Sequence, residues 1–201
     1  FEPSIAFEGQ ATEIARRLGD EGAVAAGKER LQQFEAGTLL PMEKFELSEA
    51  YADDGQWGKA ADLLAGLHPL DRPTELLKRR LFHLYRADRR SEARTLFEQL
   101  EPHLSKSRDI LRLGAAIFDR SGLPARALTI LERALKAGED LGTRLDWCRL
   151  CIRTDNEPKM DEWLHQVDAD IEGEPTDVLE LAQLLNRYGR RADALRIAYR
   201  T

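Results

Sequence analysis

Cysteine is nearly absent from this 201-residue chain, with Cys148 and Cys151 the only two. Two thiols three positions apart cannot build the disulfide framework of a small secreted fold, and they point to a reducing, cytoplasmic setting. Long apolar runs are missing too: no stretch approaches the roughly 18 residues that a membrane span needs. No secretory signal pattern opens the segment, which starts at Phe1 rather than Met, so that reading covers only the present segment. Nor is there an excess of positive charge. Thirty Lys and Arg face 36 Asp and Glu, a net charge of -6 that argues against nonspecific nucleic-acid binding. His68, His83, His103 and His165 stand singly, without the compact spacing of a metal site. No alternating strand pattern, phosphate loop or convergent nucleophile and base occurs. Paired acids such as Asp161-Glu162, or Asp168 with Asp170, read as a solvated face. No catalytic residue, metal or cofactor is expected, and the chain reads as a non-enzyme.

What the chain does have is a period. Ala60, Ala93, Ala127, Met160 and Ala194 recur at steps of 33, 34, 33 and 34. Three positions after each lies an apolar side chain: Leu63, Leu96, Ile130, Trp163 and Ile197. Nine positions before each lies another: Tyr51, Leu84, Phe118, Cys151 and Leu185. Such self-similarity marks supersecondary units too small to bury their own apolar faces, which stack on their neighbours. Apolar residues at steps of three and four, as at Leu77, Leu81 and Leu84, predict amphipathic helices. Turn signals separate them at Asp53-Asp54-Gly55, Ala87-Asp88-Arg89, Ser121-Gly122, Asn156 and Tyr188-Gly189. Pro124 and Pro158 suit a first helical turn, and Pro73 and Pro175 mark joints. The sequence predicts five helix pairs at about 41–73, 74–107, 108–140, 141–174 and 175–201. Residues 1–40 read as an N-terminal helical segment holding a degenerate pair, with Ile14 and Leu18 before a turn at 19–22 and Val24, Leu31 and Phe34 after it. The last pair ends at Thr201 without a polar capping repeat, so the sequence is expected to be part of a longer protein.

The period, the two helices per unit and the small residue early in the second helix resemble the tetratricopeptide repeat (TPR) family. Leu47 through Ala60 and Leu184 through Ala194 look like its first helix, turn and second-helix start. The resemblance covers about residues 41–201. It is degenerate where Met160 replaces the small residue and Leu81 occupies a small first-helix position. A pentatricopeptide-type array, with a slightly longer period, is the related alternative. The resemblance implies a right-handed α-solenoid of antiparallel helix pairs, a noncatalytic scaffold or adaptor that binds a peptide or protein surface in a concave groove lined by first helices. The groove residues that grip a C-terminal carboxylate in the best-known members have no convincing counterpart, since Asn186 is the only Asn in the expected first helices.

Positions four apart share a helix face, so the first helices can be read as triplets. These are Phe45, Glu49 and Asp53; Lys78, Phe82 and Arg86; Arg112, Ala116 and Arg120; Leu145, Arg149 and Arg153; and Leu179, Gln183 and Arg187. Arg86, Arg120, Arg153 and Arg187 repeat at 34, 33 and 34. Residues 74–133 carry a net charge of +5, against -7 before and -4 after them. A basic centre of this kind suits an acidic peptide, because Arg forms charge-assisted bonds to carboxylates, while Phe82 and Tyr85 offer apolar or cation–π contact. The candidate partner-binding set is therefore Lys78, Phe82, Tyr85, Arg86, Arg112, Arg120, Arg149, Arg153 and Arg187. The competing reading pairs these arginines with Asp88, Asp119 or Asp155 in a solvated network. Two other functions stay open: a nucleic-acid-binding helical repeat, and a regulatory domain of a larger enzyme. Leu195, Ile197 and Tyr199 suggest self-association through the terminal repeats. The Cys148-x-x-Cys151 pattern falls in mid-helix, with Cys151 at a core position, so both thiols are expected to be buried and inert. Trp147 reads as core or groove, and Trp57 and Trp163 as packing residues.

Overall fold

The computed structural model describes residues 4–35, 39–65, 67, 73–101, 107–138, 140–166 and 175–199. Among them are twelve helices and no strand: α1 (Ile5–Leu18), α2 (Glu21–Glu35), α3 (Pro41–Asp53), α4 (Trp57–Ala65), α5 (Pro73–Arg86), α6 (Arg90–Leu100), α7 (Arg108–Arg120), α8 (Pro124–Ala137), α9 (Leu141–Arg153), α10 (Glu157–Gln166), α11 (Pro175–Arg187) and α12 (Arg191–Ala198). They belong to two compact units, Phe1–Ala93 and Arg94–Thr201, whose boundary falls inside α6. In the first unit α1 packs on α2 and α3, and α4 on α3 and α5. In the second α8 packs on α7 and α9, and α11 on α9 and α12.

Every first helix in a pair ends in the same way. Gly19, Gly55, Asp88, Gly122, Asp155 and Gly189 all adopt positive φ, between 50° and 80°. The following residue then donates its N–H to a carbonyl five positions back: Asp20 to Ala15, Gln56 to Tyr51, Arg89 to Leu84, Leu123 to Phe118, Asn156 to Cys151 and Arg190 to Leu185, at 2.8–3.0 Å. This is the Schellman ending, which satisfies orphan carbonyls and reverses the chain. Its acceptors include all five apolar positions that recur nine residues before the small-residue series. The motif thus ties each core side chain to the turn that follows it.

The second helices start from different caps. Asp20 Oδ1 accepts from Ala23 N at 2.9 Å ahead of α2, whereas Pro124 opens α8 and Pro158 is the second residue of α10. Ala60, Ala93, Ala127 and Ala194 are buried as expected, and so is Met160, whose flexible thioether fills the site that alanine occupies elsewhere. The apolar series three positions on is less uniform. Leu96, Ile130 and Ile197 are buried, but Leu63 and Trp163 are only half-buried. The better-packed series lies one residue later, at Leu64, Phe97, Leu131 and Leu164.

Three sequence expectations are corrected. Ile14 and Leu18 do not face the core: they are 58% and 79% exposed, and α1 instead buries Ile5, Glu8, Thr12 and Ala15. Two polar contacts allow this, since Arg30 Nε meets Glu8 Oε2 at 2.7 Å and Thr12 donates to the Glu8 carbonyl at 2.7 Å. Leu145, read as accessible, is buried. Ile197 is buried while Leu195 and Tyr199 on the same helix end are exposed, so the three do not form one open face.

One close approach fixes the packing of α7. A Cβ on Gly114 would lie 2.0 Å from Phe97 Cε2, and the Phe97 ring meets Phe118 edge-on at 5.8 Å. Gly114→Val should therefore cost about 1–3 kcal/mol through overpacking. Asp155→Gly should raise stability by up to about 1 kcal/mol, because relief of left-handed strain worth roughly 1–2 kcal/mol exceeds the extra unfolded-chain entropy of glycine, about 0.5–1 kcal/mol. Gly122→Val should lower it by roughly 1–2 kcal/mol. Thermal melts followed by circular dichroism check all three. A drop in melting temperature for Asp155→Gly would contradict the assignment of strain to that turn.

Candidate functional site

The expected binding residues fall into two patches, one in each unit. In the second unit, Arg112, Arg120, Arg149, Arg153 and Arg187 are all exposed. Arg112 Nε meets Asp146 at 2.7 Å, and Arg149 reaches both Asp146 at 3.1 Å and Glu180 at 2.9 Å. Arg153 pairs with Asp119. Asp146 lies 34 residues after Arg112, and Asp119 the same distance before Arg153, so each pair spans one repeat and links α7 to α9. Glu180 carries the chain of contacts on to α11. Pairs this exposed contribute roughly 0–1 kcal/mol each. Burial opposes the Arg112 charge, yet the hydrogen bond and charge of Asp146 outweigh it and hold the guanidinium pKa above its usual value. Asp146 and Glu180 were not singled out by the sequence. The step of one repeat from Arg112 is the signal that could have found Asp146; Glu180, 31 residues after Arg149, carries no such signal.

The first unit is arranged differently. Lys78 pairs within its own helix with Glu75 at 3.3 Å, and Tyr85 is half-buried. Arg86 lies over aromatic rings, its Cζ 4.6 Å from the Trp57 centroid and 5.9 Å from that of Phe82. Trp57 and Phe82 meet edge-on at 5.9 Å, and Phe82 stays 37% exposed. Trp57 packs against the core of the first unit as expected, and its ring, at the start of α4, also meets Phe82 and Arg86 near the end of α5.

Beneath this cluster lies a polar group the sequence did not reveal. Ser48 and His83 are both buried; Ser48 Oγ is 3.5 Å from His83 Nδ1, and Glu49 Oε1 is 3.7 Å from Nε2. Burial, aided by the Arg79 charge, lowers the His83 pKa to about 4. Burial also raises that of Glu49, against the pull of Arg79 at 3.0 Å. These three residue types match those of hydrolytic chemistry in composition only, because neither hydroxyl nor imidazole is open to a substrate.

Trp147 belongs to the core, edge-on to Trp163 at 6.2 Å, with Arg144 over both rings at 5.1 and 4.9 Å. Cys148 and Cys151 are buried free thiols, and burial pushes both pKa values up to about 12. Among the described residues no group of His, Cys, Asp and Glu could hold a metal, and no helix is long and apolar enough to cross a membrane. His68, His103, Asp168 and Asp170 lie outside the described residues, as does the His165 side chain.

No profile of a known protein family matches the chain, and no curated protein matches it. Solved structures do. BtubC (BKLC) from P. vanneervenii superposes with a TM-score of 0.56 at 19% identity, over 98% of this chain and 87% of that one. A variant of a Podosopora anserina protein, described by its kinesin light chain nearly identical TPR-like repeats, gives 0.50 at 19% identity, over 98% and 93%. At such identity the likeness concerns the fold: the chain is an all-α, TPR-like array of degenerate helix pairs, of the helical-repeat solenoid class.

Two outcomes follow from the buried groups. Unfolded, His83 takes up a proton near pH 6.5; folded, it stays neutral down to about 4. The unfolded chain thus binds more protons in that window, so stability should fall as pH drops from 6.5 to 4, by about 2–3 kcal/mol for this group. The raised Glu49 contributes with the opposite sign. His83→Gln should flatten this limb in urea titrations at stepped pH; an unchanged slope would remove His83 as its cause. Neither thiol should react with iodoacetamide in the native chain at about pH 8, and both should on unfolding. Rapid native labelling, read by mass, would contradict their burial.

Proposed function

We propose that the chain is a noncatalytic protein-interaction scaffold whose first-helix faces receive an acidic peptide or protein surface. TPR-like repeats commonly bind proteins, and stacked repeats offer extended surfaces for the purpose. The observation that carries the reading is the recurrence, at the repeat interval, of exposed basic side chains on first helices in a chain whose net charge is -6. Lys78, Phe82, Tyr85 and Arg86 form the contact set of the first unit, and Arg112, Arg120, Arg149, Arg153 and Arg187 that of the second. In this reading α1 and α2 are a degenerate sixth pair ahead of five TPR-like pairs over 41–201. The buried, unbridged cysteines suit a cytoplasmic setting. Leu195 and Tyr199, exposed at the end of α12, are the residues through which terminal self-association would run.

The partner's acidity follows from electrostatics. A carboxylate-rich segment can engage the five exposed arginines of the second-unit set together even where single arginines already have partners, because several charges act together. The test is selection from a displayed peptide library on the intact chain, followed by titration of the enriched sequences. Acidic sequences should bind saturably, and Arg112→Gln, Arg149→Gln and Arg153→Gln combined should weaken them threefold to tenfold. An enriched set without acidic bias, or affinities unmoved by the triple change, would overturn the acidic-partner reading. Binding to RNA or DNA that falls steeply with salt would favour the nucleic-acid alternative instead.

A further inference from the structure

We propose that Arg86 anchors a distinct site in the first unit, which takes a peptide carboxylate next to an apolar side chain. The inference rests on the scaffold reading and names the chemistry of one of its contacts. Among the arginines of the candidate set, Arg86 has a surrounding of its own. Arg112, Arg149 and Arg153 each lie against a carboxylate of a neighbouring first helix. Nearby arginines of the first unit are likewise engaged: Arg79 with Glu49, Arg89 with Asp62 and Glu92, Arg90 with Asp88. Arg86 is exposed, and none of the described carboxylates pairs with it; its described contacts are the faces of Trp57 and Phe82.

This difference decides what each arginine can do for a ligand. A single carboxylate arriving at Arg149 must share it with Asp146 and Glu180, so that arginine gains little by itself and contributes only together with its neighbours. A guanidinium over a ring is held by dispersion and the ring quadrupole, which use none of its N–H donors. No described carboxylate takes those donors, so among the described residues an incoming carboxylate has no internal acid to displace. The indole also restricts the long side chain beforehand, which lowers the ordering cost of binding. Beside it, the half-exposed Phe82 ring, set edge-on against Trp57, gives an apolar contact for the residue next to the carboxylate. Buried His83, 5.9 Å from the Trp57 ring, supports the cluster from below.

The probe is a capped dodecapeptide of Gly and Ser with a central Phe-Glu, amidated at its C-terminus and titrated into the intact chain by fluorescence anisotropy. Two companions separate the sources of the carboxylate. One carries Phe-Gln at the same place; the other keeps Phe-Gln but ends in Phe with a free C-terminal carboxylate. The proposal expects at least one carboxylate-bearing peptide to bind ten times more tightly than the neutral one. The same peptide should lose at least tenfold on Arg86→Gln, about 1.4 kcal/mol, and less on Arg86→Lys, which keeps the charge. Arg191→Gln, on an exposed site outside both patches, controls for net charge. Unaltered circular dichroism of Arg86→Gln guards against a folding defect. Equal affinity of wild type and Arg86→Gln, or of all three peptides, overturns the inference. If Arg86→Gln is inert while library-selected acidic sequences still respond to the triple change in the second unit, the anchor is wrong and the scaffold reading stands. If those sequences also fail, the reading falls with it.

Discussion

The bond from the residue after each left-handed turn to the carbonyl five positions back is the constraint on which the helix pairs depend. It ends the first helix on the residue that faces the core, and so couples the direction of the chain to the burial of a side chain. A tight reversal sends the second helix back along the first, where its small residue allows close approach. Four of the six turns use glycine, and Asp88 and Asp155 take the same conformation at the cost of some strain. The hydrogen-bonding scheme survives those substitutions because it is made by backbone atoms. The repeat can therefore drift far in sequence and still hold its geometry.

Surface charge works on a weaker scale, and its arrangement matters more than its total. Ion pairs between successive first helices tie α7 to α9 and α9 to α11, each contributing little alone but together favouring one register. The second-helix side repeats the theme within the second unit, where Glu101 receives both Arg126 and Arg133 and Lys159 meets Glu132. At the N-terminal pair, Asp54 collects Arg16 and Lys28, each at 2.8 Å, so the turn after α3 is fastened to both α1 and α2. Burial alone would raise the Asp54 pKa; the hydrogen bonds of Lys28 and Gln56 and the charges of Lys28 and Arg16 reverse that and hold it low. A side chain so used is structural.

The sequence made the period, the helix pairing and the core series at Ala60 through Ala194 legible, because these depend on a residue's size and on spacing. It also placed the cysteines correctly, since phase alone puts Cys151 among Tyr51, Leu84, Phe118 and Leu185. It failed where polar residues occupy core positions. Glu8 and Thr12 displaced Ile14 and Leu18 from the buried face of α1, since local hydrogen bonds can compensate a burial that hydrophobicity alone would assign elsewhere. Leu145 was misplaced for a simpler reason: a stripe read at intervals of four drifts around a helix of about 3.6 residues per turn. Of the acids named in the competing reading, Asp119 does pair with Arg153, whereas Glu180, 31 residues from Arg149, stands at no repeat interval that would mark it as a partner.

Ser48, His83 and Glu49 show how the same physics bears on function. Their types would suit nucleophilic chemistry, yet the fold uses them to fill an interface between α3 and α5. With its pKa lowered by burial, the imidazole packs as a weakly polar ring tilted against Trp57, 5.9 Å between centroids. Trp57 in turn supports Arg86 at the surface. A buried histidine that cannot meet a substrate thus still shapes the surface at one remove, by packing against the aromatic ring over which an exposed cation lies. In a helical repeat whose core is built by packing, the chemistry of the surface is set in this way, from the core outward to the side chains that packing leaves exposed.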